Sequence, residues 1–171
     1  MEFSELVKAR YSVRSFSPRP IGEDILNEVL SVSALAPTAK NNQPHRIYVI
    51  RSEENLAKLR PLTPSHYGAP VILLFAYSKS EDWQNRLEAG VHSGPQDVSI
   101  VATHVMLKAA DLGLGTVWVN LFPPTAAREA LGLPEDEVPV LLMPIGYAAA
   151  DAAPSPRHFE SRPLSENVKE I

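Results

Sequence analysis

Proline constrains the layout of this chain more than any other residue type. The chain has 171 residues, of which 16 are proline and 8 are glycine. Because proline fixes φ and cannot continue a helix, a cluster of prolines marks an extended connector between regular elements. Most of the prolines gather in five stretches: Pro18–Pro20, Pro37–Pro44, Pro61–Pro70, Pro123–Pro124 and Pro154–Pro163. The helices and strands are therefore expected between these stretches.

Four segments between the connectors are predicted to be helical. They cover residues 2–9, 23–35, 95–112 and 125–131. In the first two, apolar residues recur at helical spacing. Pro37 stops the second helix, Pro95 suits the first position of the third, and Gly113 supplies its C-terminal stop. Apolar residues lie on several faces of the third helix, which predicts that it is largely buried.

Four runs of β-branched and apolar residues, bounded by turn signals, predict strands. They cover residues 46–50, 71–77, 116–120 and 138–147. Two helices precede the first strand and no strand-first dinucleotide turn is present, so a parallel Rossmann arrangement is excluded. The order predicts a single domain spanning residues 1–171, with an α+β or a mixed three-layer arrangement. The polar, proline-rich segment after Ala148 is not expected to hold structure alone.

Composition removes several classes of function. The formal net charge of −4 and the pI near 5.7 argue against a nucleic-acid-binding surface. The absence of cysteine excludes disulfides, thiolate nucleophiles and iron–sulfur clusters, so any redox chemistry must come from a bound cofactor. The five histidines lack the pairing with acids that suggests a metal site, and no metal is expected. His92 and Asp97 could meet around the start of the third helix, where a surface pair is expected.

The start of the chain and its longest apolar run indicate the compartment. The opening residues are acidic and lack the apolar core of a signal peptide. The longest strongly apolar run, Val71 to Ala76, is far shorter than the about 20 residues needed to span a bilayer. A cytoplasmic protein that does not associate with membranes is therefore the expectation.

The segment Arg10-Tyr11-Ser12-Val13-Arg14 is the first candidate binding site. If the chain is extended after the first helix, residues 10, 12 and 14 point to one face at a period of two. Two guanidinium groups and a hydroxyl on one spot would match a phosphate dianion in charge and in donor geometry. Taken alone, the pentapeptide is more often a solvated surface with two exposed arginines, because short patterns of this kind are common by chance.

Two further segments have both a structural and a functional interpretation. Residues 36–44 could hydrogen-bond a planar heteroaromatic edge, but a plain loop with an Asn-rich turn is favoured when the segment is taken alone. Residues 113–116 contain two glycines that follow a helix rather than a strand, and Trp118 stands where a dinucleotide fingerprint needs its third glycine. A glycine C-cap followed by a tight turn into a strand explains both glycines.

In combination and in order, these segments resemble the nitroreductase family of flavin-dependent oxidoreductases. The matching segments are Arg10–Phe16, Ala36–Pro44, Asp97 with the buried helix that runs into Leu112–Trp118, Pro144–Tyr147 and Arg162–Glu166. They span nearly the whole chain, which makes the combination far more specific than any single motif. The resemblance reverses the interpretation of residues 10–14 as plain surface and of residues 36–44 as a plain loop.

The resemblance implies a fold, a cofactor and an activity. The fold would be an α+β sandwich, with a central mixed or antiparallel sheet flanked by helices, that forms an intertwined homodimer. FMN would lie at each of the two subunit interfaces, and residues 150–171 would form an extended C-terminal arm packing on the partner subunit. Hydride would pass from NADH or NADPH to the flavin, and then to a nitroaromatic, a quinone or a similar small-molecule acceptor, in a ping-pong cycle.

Three groups of cofactor-binding residues carry over from the family. Positions at the FMN phosphate and ribityl chain are matched by Arg10, Ser12 and Arg14, and the tail residue Arg162 matches an arginine that reaches the same phosphate. Tyr11, within the same segment, is also assigned to cofactor binding. The loop that the partner subunit lays over the isoalloxazine ring is matched by Pro37, Thr38, Ala39 and Asn41. The segment whose backbone approaches the ring near N5 is matched by Trp118, Val119, Asn120 and Leu121. No side chain is assigned as a catalyst, because the hydride chemistry resides in the cofactor.

The chain departs from the family pattern at three places. His45 follows Pro44 where the family often has Trp, and Asn120 and Leu121 stand where glycine is frequent. The long helical insertion that builds the substrate channel of larger members is absent, so the acceptor is not assigned. Two alternative functions are possible on the same fold. One is a flavin-dependent oxidase, dehalogenase or flavin-consuming enzyme, and the other is a non-enzymatic flavin-binding dimer.

Overall fold

The computed structural model describes residues 1–171 and arranges them as six α-helices around four strands. The helices are α1 (Phe3–Ala9), α2 (Glu23–Ser31), α3 (Glu53–Leu59), α4 (Gly94–Asp111), α5 (Pro124–Leu131) and α6 (Leu164–Asn167). The strands are β1 (His45–Ile50), β2 (Val71–Ser78), β3 (Gly115–Thr116) and β4 (Glu137–Gly146). Short 3-10 turns occupy Val32–Leu35, Ala39–Asn41, Arg60–Leu62, Pro64–His66 and Pro156–Phe159. None of the helices combines the length and the apolar character needed to cross a membrane.

The four strands form one antiparallel sheet in the order β1-β2-β4-β3. All residues of β2, in the centre, are buried, and this strand accordingly reads as a continuous apolar run. The last residues of β2 pair with the first residues of β4, and Tyr77 lies opposite Val138. Ser12 adds a parallel bridge to Thr116 in the edge strand β3. The predicted α+β fold with a central sheet flanked by helices is thus confirmed.

Helices cover both faces of the sheet. α2 and α4 pack on the face where Leu73 and Phe75 of β2 point, and α3 and α5 pack on the face where Ile72 and Leu74 point. This alternation follows from the two-residue period of a strand. None of these four side chains is more than 1% exposed. Full burial of such a side chain contributes roughly 1.5–3 kcal/mol, so the strand at the centre of the sheet is also the centre of the core.

Three elements differ from the sequence prediction. α2 ends at Ser31, and the predicted remainder to residue 35 is a 3-10 turn. The predicted strand at residues 116–120 forms a regular ladder with β4 only in β3. Val117, the residue after β3, donates to the carbonyl of Pro144 in β4, but Pro144 has no N–H to donate in return, so the ladder is interrupted there. α3 is absent from the prediction, although Ser52 caps its start by accepting a hydrogen bond from the N–H of Asn55.

Two glycines between α4 and β3 bring the N-terminal segment against the sheet. Gly113 has φ +77°, the left-handed conformation that suits the residue after a helix. Gly115 has no room for a side chain, since a Cβ there would lie 2.5 Å from Cγ2 of Val13. The predicted turn is confirmed, and Gly115 also allows residues 12–14 to run alongside β3.

A tyrosine and a buried carboxylate join β1 to the start of β4. The hydroxyl of Tyr48 donates a hydrogen bond to Glu137, which is 8% exposed, and Nε of Arg46 lies 3.7 Å from Oε1 of Glu137. Burial, and after it the hydrogen bond to Glu137, raises the pKa of Tyr48 from 10.0 to about 12. The phenol therefore remains protonated in the folded protein at pH values where a free tyrosine ionises.

We expect this contact to make the folded state sensitive to alkaline pH. The pKa of Tyr48 is raised on folding, so its stabilisation is fully present below pH 10.0 and is lost as the pH rises through about 12. The free energy of unfolding in urea should fall over this range, and the fall should be smaller in Tyr48→Phe. Tyr77, whose pKa is also raised by burial, remains in both proteins. An identical alkaline loss in Tyr48→Phe and in the unmodified protein would contradict the expectation.

Candidate functional site

A polar cavity of about 310 Å³ lies beside the N-terminal segment. Its six lining residues are all polar or charged: Arg10, Ser12, Arg14, Ser155, Arg157 and His158. The first three are those that the sequence places on one face of an extended segment, and the structure does bring them together. The last three come from residues 150–171, the C-terminal arm. We call this space the arginine cavity.

The backbone around Ser12 explains how the N-terminal side chains converge. α1 ends at Ala9, and the extended backbone of the next residue, Arg10 (φ −61°, ψ 130°), leads the chain to the edge of the sheet. There the N–H of Val13 donates to the carbonyl of Thr116 at 2.9 Å, and the Val13 side chain is 2% exposed. Because successive side chains alternate along an extended segment, Ser12 and Arg14 face away from the core and toward the cavity.

The sequence motifs miss the three residues that the arm contributes. The arm reaches the cavity because the N–H of Ala149 donates to the carbonyl of Ser15 at 3.0 Å and the chain then makes the 3-10 turn Pro156–Phe159. The ring of His158 lies edge-on to the ring of Tyr11, with the centroids 6.4 Å apart. Tyr11, the remaining predicted residue of this segment, therefore supports the arm beside the cavity. No local pattern could have identified these arm residues, because only the fold brings the two chain ends together.

No carboxylate of the chain balances the charge of the arginine cavity. Of the ten arginines, five form salt bridges with Asp or Glu: Arg46, Arg51, Arg60, Arg128 and Arg162. Arg10, Arg14 and Arg157 form no salt bridge, although the chain has more acidic than basic residues. Three unpaired guanidinium groups facing one polar cavity supply the charge and the hydrogen-bond donors that a phosphate dianion requires.

Arg162 lies outside the arginine cavity. Its side chain is 78% exposed, and its Nη1 lies 4.0 Å from Oε2 of Glu166. All residues from 159 to 171, α6 included, are exposed. Within one chain, the arginine that the tail brings to the cavity is therefore Arg157.

Residues 118–121 continue along the sheet from the arginine cavity. Val119 pairs with β4 and is 4% exposed, whereas Asn120 and Leu121 are exposed. Nε1 of Trp118 donates to Oδ1 of Asn120 at 2.9 Å, which fixes the relative position of these two side chains. Ser12 of the cavity lies beside Thr116, the last residue of β3. An extended residue advances the chain about 3.3 Å, so Trp118 lies roughly 7 Å further along the chain.

The loop at residues 37–41 lies at the opposite end of the sheet. The N–H of Ser78, the last residue of β2, donates to the carbonyl of Pro44 at 2.9 Å and ties the loop to that end. β4 spans the distance, since Val138 pairs with the end of β2 and Ile145 pairs with β3. At about 3.3 Å per residue the separation is roughly 23 Å, so one chain does not bring the loop to the arginine cavity. The predicted contact residues of the loop are exposed (Pro37 and Asn41) or half-buried (Thr38 and Ala39).

Three residues in and after this loop have a left-handed backbone. The φ angle is 52° at Lys40, 55° at Asn41 and 50° at Gln43. Asparagine tolerates this conformation, whereas for other non-glycine residues it costs roughly 1–2 kcal/mol. Such strain persists only where the surroundings over-determine the backbone, and it concentrates at ligand clamps and active sites. The strained backbone therefore indicates that the loop has a functional role and does not only connect two elements.

His45, at the start of β1 and next to the loop, has a ring nitrogen without a partner. Its Nδ1 is buried and forms no hydrogen bond. Burial, and after it the charge of Arg46, lowers the pKa of His45 from its ordinary value, which favours the neutral ring. Buried polar atoms are nearly always paired, so this nitrogen marks a place for a water molecule or a ligand group.

The pair expected between His92 and Asp97 does not form. Nδ1 of His92 lies 2.7 Å from Oδ2 of Asp82 instead, because the loop before α4 folds back on itself. Asp97 is 3% exposed, so it belongs to the interior and not to the surface. No group of three or more His, Asp or Glu side chains is arranged to hold a metal ion.

An apolar groove of about 560 Å³ lies where α1, α4 and the 3-10 turn after α2 meet. Phe3 and Leu35 on its wall are 67% and 77% exposed, and Val32 and Leu107 also line it. Polar and charged residues of α4 complete the lining, and an exposed apolar surface with a polar rim marks an interaction site. We call it the α1–α4 groove.

Known proteins resemble this chain over most of its length. The model of the nitroreductase family matches residues 7–67 and 62–147, which include the N-terminal arginines and the whole sheet. A protein of Methanothermobacter thermautotrophicus, provisionally named NADH dehydrogenase/NAD(P)H nitroreductase, is 30% identical over 158 residues. The match covers 87% of this chain and 78% of that protein.

Solved structures share the same fold. A nitroreductase family protein from Clostridium difficile has a TM-score of 0.91 and 38% identity, over 99% of this chain and 98% of its own. An FMN-dependent nitroreductase from another strain of that species has a TM-score of 0.71 and 24% identity, over 85% of this chain and 87% of its own. The second match concerns the fold alone, whereas the first extends to the sequence.

Proposed function

The chain belongs to the nitroreductase family of oxidoreductases, and on this premise we propose that it binds FMN and passes hydride from NADH or NADPH through the flavin to a small-molecule acceptor. The observation that carries the proposal is the arginine cavity, in which no carboxylate neutralises the three guanidinium groups. The cycle would be ping-pong, with the oxidised nicotinamide leaving before a nitroaromatic, a quinone or a similar acceptor enters.

The residues of the arginine cavity fit the phosphate of FMN. A phosphate monoester carries about 1.5 to 2 negative charges at neutral pH, which three arginines can meet. The hydroxyl groups of Ser12 and Ser155 add neutral donors to the lining of the same cavity. Each charge-assisted hydrogen bond contributes about 1.5–3 kcal/mol. The isoalloxazine ring would then extend toward residues 118–121, whose exposed side leaves room for it.

We infer that a second copy of the chain completes the site. The loop at residues 37–41 lies roughly 23 Å from the arginine cavity in one chain, so only the loop of a partner could cover a flavin held there. The α1–α4 groove offers an apolar surface for self-association. In the arm, Phe159, Leu164 and Val168 are exposed apolar residues, which favours packing of its end on the partner subunit.

The residues of the chain bind and orient, while the cofactor carries the reaction. When bound, FMN supplies the chemistry of taking up hydride from the nicotinamide and giving it to the acceptor. Arg10, Arg14 and Arg157, which line the arginine cavity, would hold the phosphate end, and the backbone from Trp118 to Leu121 would lie along the ring end. Neither the residues at the phosphate end nor those at the ring end need to act as an acid or a base, and we assign no catalytic side chain.

Absorbance spectroscopy of the purified protein tests the cofactor directly. We expect a yellow protein with the spectrum of oxidised flavin, which denaturation releases as FMN. NADH or NADPH should bleach the spectrum in the absence of air, and a nitroaromatic or a quinone should restore it. A colourless protein that does not bind added FMN would overturn the proposal.

The same assay separates the two alternatives on this scaffold. An oxidase or a dehalogenase would regain the yellow colour with dioxygen or with a halogenated acceptor in preference to the other acceptors. A flavin-consuming enzyme would lose the colour permanently during turnover. A non-enzymatic flavin-binding dimer would bind FMN but would not oxidise NADH or NADPH with any acceptor.

A further inference from the structure

One buried carboxylate anchors the strained loop to the rest of the molecule. Oδ1 of Asp97 accepts a hydrogen bond from the N–H of Ala39 at 2.9 Å, and its Oδ2 accepts from the hydroxyl of Ser93 at 2.7 Å. Asp97 lies in the first turn of α4, where the positive end of the helix dipole favours a negative charge. No other side chain from outside the loop hydrogen-bonds to the backbone of residues 37–43.

The loop needs such an anchor because its own contacts do not fix its position. Left-handed Lys40, Asn41 and Gln43 favour relaxation of the backbone to another conformation. The N–H of Gln43 donates to Oγ1 of Thr38 at 3.0 Å, but this bond joins two ends of the same loop. It preserves the shape of the loop without attaching the loop to the sheet or to α4. Asp97 supplies the attachment of the loop to α4, whereas the other bonds that leave the loop, from Nδ2 of Asn42 to the carbonyl of Glu81 and from the N–H of Ser78 to the carbonyl of Pro44, lie at its C-terminal end.

We propose that Asp97 is a positioning residue for flavin binding. By holding the N–H of Ala39, it fixes the strained loop in the conformation that covers the isoalloxazine ring of a flavin bound to the partner subunit. Asp97 acts through the loop and does not touch the flavin. This role rests on the proposed FMN site, which consists of the arginine cavity of one subunit and the loop of the other. Asp97 is the group that keeps the loop in place. Because the loop would cover the ring of the flavin and not its phosphate, Asp97 should affect the binding of the ring and not that of the phosphate.

Binding of FMN and of riboflavin to the apoprotein distinguishes these two effects, since riboflavin lacks the phosphate. Asp97→Ala should weaken the binding of both ligands by the same factor, about tenfold to a hundredfold, which corresponds to one charge-assisted hydrogen bond. Arg157→Ala should weaken the binding of FMN alone. Light scattering should give Asp97→Ala the same oligomeric state as the unmodified protein, so that a lost dimer does not account for the result.

Two further variants serve as controls. Asp97→Asn keeps an oxygen that can accept from the N–H of Ala39, so it should restore most of the affinity for both ligands. Asp136→Ala removes a carboxylate that accepts from the hydroxyls of Ser78 and Ser80 but does not bond to the loop, and its affinities should equal those of the unmodified protein. If Asp97→Ala does not fold, Asp97→Ser replaces it, because a serine side chain is too short to reach Ala39.

The outcomes separate this inference from the proposed function. Unmodified protein that does not bind FMN would contradict the function itself. If it does bind FMN, unchanged affinities in a folded alanine or serine variant would overturn the role of Asp97. A loss confined to FMN, or an equal loss in Asp97→Asn, would overturn it as well, since the first points to the phosphate and the second to the charge alone.

Discussion

Replacing Arg10, Arg14 or Arg157 by alanine is expected to weaken FMN binding about tenfold to a hundredfold for each residue, with little effect on the stability of the fold. Each guanidinium would contribute a charge-assisted hydrogen bond to the phosphate, worth about 1.5–3 kcal/mol. None of the three forms a salt bridge within the chain, so removing one sacrifices no ion pair. Titration of the apoprotein with FMN, followed by flavin fluorescence, and thermal unfolding of the same samples measure the two quantities.

Arg51→Ala is the matched control for these variants. It also removes one arginine, but Arg51 pairs with Glu23 on the surface and does not line the cavity. Its affinity for FMN should equal that of the unmodified protein. Unchanged affinities in Arg10→Ala and Arg14→Ala would remove the phosphate role from this segment.

Arg162→Ala decides which tail arginine serves the phosphate. The family resemblance assigns this role to Arg162, whereas the folded chain places Arg157 in the cavity and leaves Arg162 exposed beside Glu166. We expect the larger loss of FMN affinity in Arg157→Ala. A larger loss in Arg162→Ala would mean that the end of the arm reaches a cavity only in the assembled dimer.

A charge placed in the α1–α4 groove is expected to abolish the dimer and, with it, tight binding of the flavin. Leu35 is 77% exposed in one chain, so Leu35→Glu should leave the fold of that chain intact. Lys108 in the groove already pairs with Glu28, so the added carboxylate would have no free cation if two copies bury the groove between them. An uncompensated buried charge costs about 3–5 kcal/mol in each copy. Because the loop at residues 37–41 would come from the partner subunit, the monomer should lose the contacts to the ring as well.

Sedimentation velocity and FMN titration of Leu35→Glu measure these two effects together. Ala57→Glu is the control, since it adds the same charge to an exposed position of α3, on the opposite face of the sheet. It should remain dimeric and should bind FMN normally. A dimeric Leu35→Glu protein would exclude the groove as the interface, and a monomer that still binds FMN tightly would exclude a site shared between subunits.

Some elements of the fold were predictable because their pattern is strong and local. The apolar run at residues 71–77 predicts a strand, and β2 covers Val71–Ser78. The apolar segment at residues 95–112 predicts a buried helix, and α4 covers Gly94–Asp111. α3 escaped prediction because it buries only Leu56 and Leu59, too few apolar positions to define a helical period.

In the candidate site, too, the residues that share a local pattern were predictable, whereas those brought together by the fold were not. Alternation along an extended segment is a property of neighbouring residues, so the sequence was sufficient to predict that Arg10, Ser12 and Arg14 share a face. Folding was needed to add Arg157 to them, because the register of the sheet and the return of the arm bring together opposite ends of the chain. The same register separates the loop at residues 37–41 from the arginine cavity by most of the length of β4. Convergence of distant segments depends on how the core packs, and no short stretch of sequence contains that information.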